Sequence, residues 1–264
     1  MTRHISRFAT EDFPLHPSAL GVLMTCPWRM AMQFLFGERD EGGVAGDTGS
    51  ATHAAVAAFH RGKELVECMQ EMQGRVKEYP QADLQDAAKM FLAYSQDTRN
   101  KETKVLLVEQ DIAFQIAPAP EDETQAPIQV IGRLDQVREH PDGIARMWDL
   151  KTSKKDPWAL LNQHTFQIAA YCIGASLKLG RQVEPGGLIL SRKYGASNPS
   201  QASVFWHYPW RFKDIEQILS GVRHTVAAIR AGKLFHVPNS DCQWCEAKSP
   251  DLCLPKLQQL NIRA

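Results

Sequence analysis

The sequence lacks any apolar run approaching the roughly 20 residues that a membrane-spanning helix needs. Its first residues, "MTRHISRFATEDFP", contain no apolar segment of the kind found in secretory signals. It also lacks an excess of charge, because 30 Lys and Arg residues balance 30 Asp and Glu residues. Net charge therefore gives no indication of a nucleic acid partner. These absences predict a cytoplasmic protein that does not associate with a membrane.

The composition is that of an ordinary globular protein. Of the 264 residues, 44% are hydrophobic and 23% are charged. No internal repeat and no linker divides the chain, so we expect a single domain over residues 1–264. Within it we expect a mainly helical part at 18–100, a core at 104–232 and a cysteine-bearing tail at 233–264 that packs with the Cys26 region.

Charge is distributed unevenly along the chain. Residues 38–143 carry 11 basic and 20 acidic residues, whereas residues 144–233 carry 13 basic and 5 acidic residues. Such asymmetry favours a surface that faces a polyanion on the basic side. Solvated helix faces that happen to segregate by sign are the alternative.

The first hundred residues have helical patterns. A helix is expected over 18–36 with Ser18 as its N-cap, and Pro27 should break or kink it because proline cannot donate the helical hydrogen bond. Three further helices are expected, starting at Ser50 after a Gly-rich loop at 37–49, and at about 64–78 and 81–98.

Strands follow. β-branched and apolar residues predict strands from Lys104 and over 128–139, and "HPDG" at 140–143 predicts a turn into an antiparallel strand at 144–153. Beyond these come a loop at 117–127, a helix from Pro157 to Leu179 closed by Gly180, strands near 186–193 and 202–209, and a helix at about 212–231. This order predicts an α+β, or mixed α/β, fold.

The third strand carries Asp149 and Lys151. Side chains alternate along a strand, so the carboxylate and the ammonium point the same way. The hairpin would bring Asp135 close to Asp149, and two converging carboxylates repel unless a cation such as Mg²⁺ lies between them. A surface ion pair at a strand end is the alternative for Asp149 and Lys151.

Neighbouring elements add polar residues. Gln167 and Tyr171 are four apart and share a helix face. His53 lies in the Ala-rich helix, where a lone histidine is often structural. Glu109 lies on the first strand, where we expect a solvated residue; an approach to the metal is the alternative.

Four ordered motifs resemble those of the PD-(D/E)XK nucleases, in the RecB-like exonuclease branch. They are "GSATH" (49–53), "GRLD" (132–135), "WDLKT" (148–152) and "QIAAY" (167–171). The resemblance implies a restriction-endonuclease-like core, in which helices flank a central mixed sheet.

The resemblance also implies roles for individual residues. The implied ligands of a Mg²⁺ or Mn²⁺ ion are His53, Asp135, Asp149 and the carbonyl of Leu150. The implied catalytic lysine is Lys151, which acts with Asp135 and Asp149. Gln167 and Tyr171 would position the DNA backbone and the active-site groups.

Six cysteines occur, and Cys68 and Cys172 lie in helical patterns that favour burial. The CxxC pair and its neighbours could bind zinc or an iron–sulfur cluster, or remain unligated thiols, whereas redox chemistry lacks a thioredoxin-like context. The resemblance extends to AddB-type and CRISPR-associated RecB-like exonucleases with an iron–sulfur cluster. It implies a [4Fe–4S] cluster that staples the chain ends together through Cys26, Cys242, Cys245 and Cys253.

The resemblance implies DNA as substrate. Expected phosphate contacts are Lys154, Lys155, Arg192 and Lys193. We expect a metal-dependent exonuclease that prefers single-stranded or free-ended DNA. The sequence has no Walker A pattern, so any unwinding would come from a helicase or from a recombination or CRISPR-type partner. A non-catalytic DNA-binding or assembly subunit and a structure-specific endonuclease are the alternatives.

Overall fold

A computed structural model describes residues 5–36, 44–75, 82–152, 157–191 and 203–233. The chain divides into two compact units. The described parts of 1–39, 114–131 and 216–264 form the first unit, and the described parts of 40–113 and 132–215 form the second unit.

The main helices and strands follow one another along the chain in the predicted order. The α-helices are α1 Pro17–Thr25, α2 Pro27–Phe36, α3 Val44–His60, α4 Leu65–Gly74, α5 Leu84–Gln96, α6 Arg99–Glu102, α7 Pro157–Leu179 and α8 Ile215–Arg230. The strands are β1 Lys104–Ile116, β2 Ile128–Glu139, β3 Ala145–Lys151, β4 Glu184–Ser191 and β5 Ser203–His207. Short 3-10 helices cover Ile5–Arg7 and Phe212–Asp214.

The five strands form one mixed sheet in the order β1-β2-β3-β4-β5. Strands β2 and β3 are antiparallel, β3 and β4 are parallel, and β4 and β5 are antiparallel. Helix α7 makes the crossover that a parallel pair requires, and it packs against β3 and β4. The prediction of a mixed sheet flanked by helices, as in restriction-endonuclease-like folds, is confirmed.

The predicted break at Pro27 is confirmed. Cys26 has an extended backbone between α1 and α2. The predicted start of the next helix at Ser50 is wrong, because α3 already begins at Val44. The hydroxyl of Thr48 donates to the Val44 carbonyl at 2.6 Å and accepts the Asp83 amide at 2.9 Å. The contact with Asp83 lies outside the local sequence, and it helps to offset the low helix propensity of Gly46 and Gly49.

Helices cover both faces of the sheet in the second unit. One buried cluster combines residues of α3, α4 and α5 with Trp148, Leu150 and Ile189. Asp149 points to the other face, where Gln167 of α7 contacts it. The alternation of β3 therefore separates an apolar face from a polar one. Cys68 and Cys172 are both buried, as predicted.

A buried polar network lies at the C-terminal end of β2. The guanidinium of Arg138 is fully buried and donates to Gln136 and Asn100 at 2.7 and 2.8 Å. It also donates to the hydroxyl of Tyr94, which lies 2.5 Å from the Nε2 atom of His60. The network ties α3, α5 and β2 together through satisfied polar groups.

The first unit is organised around Arg230 of α8. Its guanidinium donates to the carboxylate of Asp122 at 2.6 Å, and both side chains are 1% exposed. It also donates to the carbonyls of Phe8 and Ala126 at 2.8 and 2.6 Å. One side chain therefore joins three segments that are far apart in the sequence. Within the described residues, no helix is both long and apolar enough to span a bilayer.

Candidate active site

Three ionisable side chains from different elements converge in the second unit. The Nδ1 atom of His53 on α3 lies 3.1 Å from Oε1 of Glu109 on β1. It lies 3.5 Å from Oδ1 of Asp135 on β2. One potential ligand atom from each residue falls within 4.8 Å of the others, so the three could hold a metal ion. This His53–Glu109–Asp135 group is called the triad below.

The backbone of Leu150 organises the triad. Its amide donates to Oδ2 of Asp135 at 2.7 Å, which leaves Oδ1 facing His53. Its carbonyl oxygen lies 3.0 Å from Nε2 of His53. A single residue of β3 therefore orients both a carboxylate and an imidazole.

Proximity shifts the proton affinities of the triad. Burial acts to lower the pKa of His53, but the carboxylates of Asp135 and Glu109 outweigh it and raise the pKa to about 9. Burial raises the pKa of Asp135 to about 7, against the opposing effect of His53 and with support from Asp149 and Glu109. Protons here neutralise negative charge that a divalent cation would also neutralise.

Glu109 is the member of the triad that the sequence did not favour. The expectation of a solvated strand residue is wrong, since its side chain is only 20% exposed and pairs with His53. Its backbone has a φ of 45°, a left-handed conformation that is rare for a non-glycine residue in a strand. Such strain is typical of functional sites. Nothing local in the sequence signals this conformation.

Asp149 and Lys151 lie together beside the triad, as the alternation of β3 predicts. The Lys151 ammonium lies 2.9 Å from Oδ2 of Asp149, whose side chain is 1% exposed. The contact is therefore an ion pair. Burial acts to lower the pKa of Lys151, but Asp149 and Asp135 outweigh it and raise the pKa.

Gln167 and Tyr171 of α7 also lie at this site, next to Asp149. The amide of Gln167 donates to Oδ1 of Asp149 at 3.3 Å and to the hydroxyl of Tyr171 at 3.2 Å. The imidazole of His164 lies 2.7 Å from the Gln167 carbonyl oxygen. Burial raises the pKa of Tyr171, so its hydroxyl stays protonated. The structure thus brings together all the residues predicted for the active site and adds Glu109.

An open groove of about 670 Å³ includes the site. His53, Glu109, Leu150 and Lys151 line it, together with residues of α3 and α4. Substrate can therefore reach the triad from solvent.

Of the predicted cluster cysteines and DNA contacts, the structure describes Cys26. Cys26 is half-buried between α1 and α2 in the first unit. The remaining predicted cluster cysteines and DNA contacts lie outside the described residues: Cys242, Cys245, Cys253, Lys154, Lys155, Arg192 and Lys193.

The site combines carboxylates with a lysine on adjacent strands of a mixed sheet, a set of groups that suits metal-dependent hydrolysis. A model of the PD-(D/E)XK nuclease superfamily matches residues 14–250. The chain therefore belongs to the PD-(D/E)XK nuclease superfamily. Its nucleases use divalent metal ions, and DNA is the substrate that the fold implies.

Comparison with individual proteins adds little. One solved structure, titled "Crystal structure of SSO0001", is 12% identical, with 86% of this chain and 95% of that chain covered and a TM-score of 0.36. No curated protein matches the chain. The assignment to the superfamily rests on the family match.

Proposed function

We propose that the protein is a Mg²⁺- or Mn²⁺-dependent DNA exonuclease that prefers single-stranded or free-ended DNA. The observation that carries the proposal is the convergence of His53, Glu109 and Asp135 beside the Asp149–Lys151 ion pair. Both sets of groups adjoin one groove, which makes the place accessible to a polymer.

The donor set fits a hard divalent cation. Carboxylate oxygens with one imidazole and a backbone carbonyl suit Mg²⁺ and Mn²⁺. We assign the ligands to the triad and the Leu150 carbonyl. We retain Asp149 as a further ligand, because its buried carboxylate lies close enough to the triad to help raise the pKa of Asp135. When bound, the ion would lower the pKa of a water molecule and neutralise phosphate charge.

The chain's own groups then have separate roles. Lys151 carries a positive charge in a half-buried position, where it can stabilise negative charge that develops on a phosphate. Gln167 fixes one oxygen of Asp149, which leaves the other beside Lys151. Tyr171 is linked to the same amide and can orient it and the DNA backbone.

We also propose membership of the RecB-like branch, with a [4Fe–4S] cluster on Cys26, Cys242, Cys245 and Cys253. The CxxC spacing and the position of Cys26 near the start of the chain support this. Zinc is the alternative occupant. Protein purified without oxygen should be brown, with iron and sulfide near four per chain. A colourless protein with stoichiometric zinc would rule out the cluster.

The experiment for the proposed activity is digestion of end-labelled DNA. Linear and circular single strands and duplexes are incubated after chelation, with and without added Mg²⁺ or Mn²⁺. We expect release of nucleotides from linear single strands only with metal. Cutting of circles would favour the structure-specific endonuclease, and binding without any cutting would favour a non-catalytic DNA-binding or assembly subunit. A helicase, recombination or CRISPR-type partner is a further proposal.

The Lys151→Ala variant tests the assignment of the site. It should bind DNA but lose cleavage by at least 100-fold. Lys89→Ala is the matched control, because Lys89 pairs with Asp86 on α5 and does not line the groove. Cleavage by Lys151→Ala at the wild-type rate would show that the catalytic assignment is wrong.

A further inference from the structure

The groove that contains the triad extends along one face of α3, on both sides of His53. Its lining residues on this helix recur at helical spacing, from Gly46 through Ser50, His53 and Ala57 to Arg61. These residues span about 22 Å along the helix axis at ~1.5 Å per residue, with His53 near the middle. The groove is therefore an elongated track.

Basic side chains line this track. Arg61 at the end of α3, Arg75 after α4 and Arg133 on β2 join Lys151 in the lining. Arg61 and Arg133 are exposed and Arg75 is half-buried. None of the three arginines is among the phosphate contacts that the sequence predicts, because all three lie in the acidic stretch of the chain at 38–143.

Carboxylates at the track are already engaged by the protein. Glu109 belongs to the triad, and the other lining carboxylate, Glu71, forms an ion pair with Lys63. The hydrogen bond from Lys63 holds the pKa of Glu71 below its ordinary value, and Arg75 and Arg61 lie close enough to add to this effect. Near Arg61, the track therefore has three cations close to one carboxylate: Arg61, Arg75 and Lys63 lie around Glu71.

Arg133 lies two residues before Asp135 on β2 and is already part of an ion pair. Arg133 pairs with Asp111 at 2.8 Å, and both side chains are more than half exposed. Exposed pairs of this kind are weak, so a phosphate can compete for the guanidinium. Arg61 and Arg75 form a stronger candidate phosphate site than Arg133 does, because the two arginines lie together on the same side of the triad.

We propose that Arg61 and Arg75 bind phosphates of a single DNA strand that lies along α3 and leads to the triad. This inference rests on the proposed function, since it names residues that hold that substrate. Arg61 lies about 12 Å beyond His53 along the helix. With an axial rise of about 3.4 Å per nucleotide in a stacked strand and a larger rise in an extended one, this is roughly two to four nucleotides from the scissile bond.

The shape of the track suits one strand. The groove volume of about 670 Å³ lies within the range of pockets that enclose a drug-sized ligand, roughly 300–1,000 Å³. A groove of this volume can hold a few nucleotides of one strand, but not a duplex. Small side chains on α3 allow a sugar-phosphate backbone to approach closely. A Cβ atom added at Gly46 would meet no other atom within 4 Å, so this part of the track is open.

Binding of a fluorescent oligothymidylate, measured by anisotropy in EDTA at several salt concentrations, tests the inference. Arg61→Ala and Arg75→Ala should each weaken binding about 3- to 10-fold. Each should also reduce the slope of log K against log salt by about 0.7, the value for one phosphate contact on a single strand. Arg181→Ala is the matched control, because Arg181 is exposed and pairs with Glu139 away from the groove.

A second variant tests the path without changing charge. Gly46→Leu should keep or raise the melting temperature, since leucine has a higher helix propensity than glycine. It should weaken oligothymidylate binding at least 5-fold by narrowing the track. Unchanged binding in Gly46→Leu would show that the strand does not extend along α3 past the triad, on the side away from Arg61.

The outcomes separate this inference from the proposed function. If the wild-type protein cleaves DNA while Arg61→Ala and Arg75→Ala keep wild-type affinity and salt slope, the inference is wrong and the nuclease function stands. If the wild-type protein neither binds nor cleaves DNA with any added metal, both are wrong. Equal losses in Arg181→Ala would also overturn the inference, because they would show a general charge effect.

Discussion

The Nδ1 atom of His53 lies 3.1 Å from Oε1 of Glu109, although 56 positions separate the two residues in the sequence. The contact joins the middle of α3 to a strained residue of β1. It gives the triad a second carboxylate beside Asp135. Metal affinity should therefore depend on a strand residue outside the recognised motifs.

Glu109→Gln should weaken Mn²⁺ binding at least tenfold, because loss of even a residue that only supports a metal ligand typically weakens binding 10- to 100-fold. Titration calorimetry on metal-free protein measures this. Asp111→Asn is the control, since Asp111 is an exposed carboxylate on the same strand. An equal loss in the control would show that only the general negative charge of β1 matters.

Metal affinity should rise with pH. At neutral pH the raised pKa values of about 9 for His53 and about 7 for Asp135 keep protons on groups that must lose them to bind a cation. The affinity for Mn²⁺ should therefore increase between pH 6 and pH 9, by up to tenfold per pH unit for each proton displaced. Calorimetry in buffers of different ionisation enthalpy counts the released protons. A pH-independent affinity with no proton release would contradict the assignment.

Stability should fall in acid partly because of His60. Burial first, and then the charge of Arg138, lower the pKa of this imidazole to about 3 in the folded state, whereas its ordinary value is 6.5. Between these values the unfolded chain binds a proton that the folded chain does not bind. The free energy of unfolding therefore decreases as pH falls below 6.5, by up to ~1.4 kcal/mol per pH unit.

The His60→Gln variant isolates this contribution. Urea unfolding at pH 7.5 and pH 4.5 should show a smaller acid-induced loss of stability in the variant than in the wild-type protein, by roughly 2 kcal/mol. Equal losses in the two proteins would mean that the folded state accommodates a protonated His60.

Gly49 allows α3 to approach the end of β3. A Cβ atom there would lie 2.8 Å from the hydroxyl oxygen of Thr152. Alanine in place of glycine normally raises the free energy of unfolding of a helical protein by ~1 kcal/mol. Gly49→Ala should not give this gain in the wild-type protein, but it should give it in a Thr152→Ala background. Chemical denaturation of the four proteins in this double-mutant cycle measures the coupling. Additive effects would show that the approach is not tight.

Arg230→Met should destabilise the first unit by about 3–5 kcal/mol, because it leaves the buried Asp122 carboxylate without its cation. Burial acts to raise the pKa of Asp122, but hydrogen bonds from Thr124 and Arg230 outweigh it and hold the pKa below its ordinary value. Removal of both charges in Arg230→Met with Asp122→Asn should recover part of the loss. Urea unfolding measures both. A loss below ~1 kcal/mol would mean that the pair is accessible to water.

Local sequence determined the elements that carry the site. The bounds of β2 at Ile128–Glu139 and of α7 at Pro157–Leu179 agree with prediction, because turn residues, Pro157 and Gly180 mark their ends. The alternation of β3 places Asp149 and Lys151 together, as expected. These features depend on backbone geometry that neighbouring residues impose.

The start of α3 and the neighbourhood of Glu109 depended on the tertiary structure. A helix start at Val44 requires the contact between Thr48 and Asp83, and the turn of Glu109 towards His53 requires a backbone conformation that no local pattern marks. Similarly, charge counts along the chain pointed to the basic stretch at 144–233. Three of the four cations at the groove come from the acidic stretch.

The sequence by itself thus determined the family motifs, the order of elements and the faces of each strand. Only the tertiary structure decided that Glu109 joins His53 and Asp135, and that Arg61 and Arg75 lie along the same groove. The physical reason is range: hydrogen bonding and side-chain alternation act between near neighbours, whereas a metal site or a phosphate track is assembled from residues that only packing brings together.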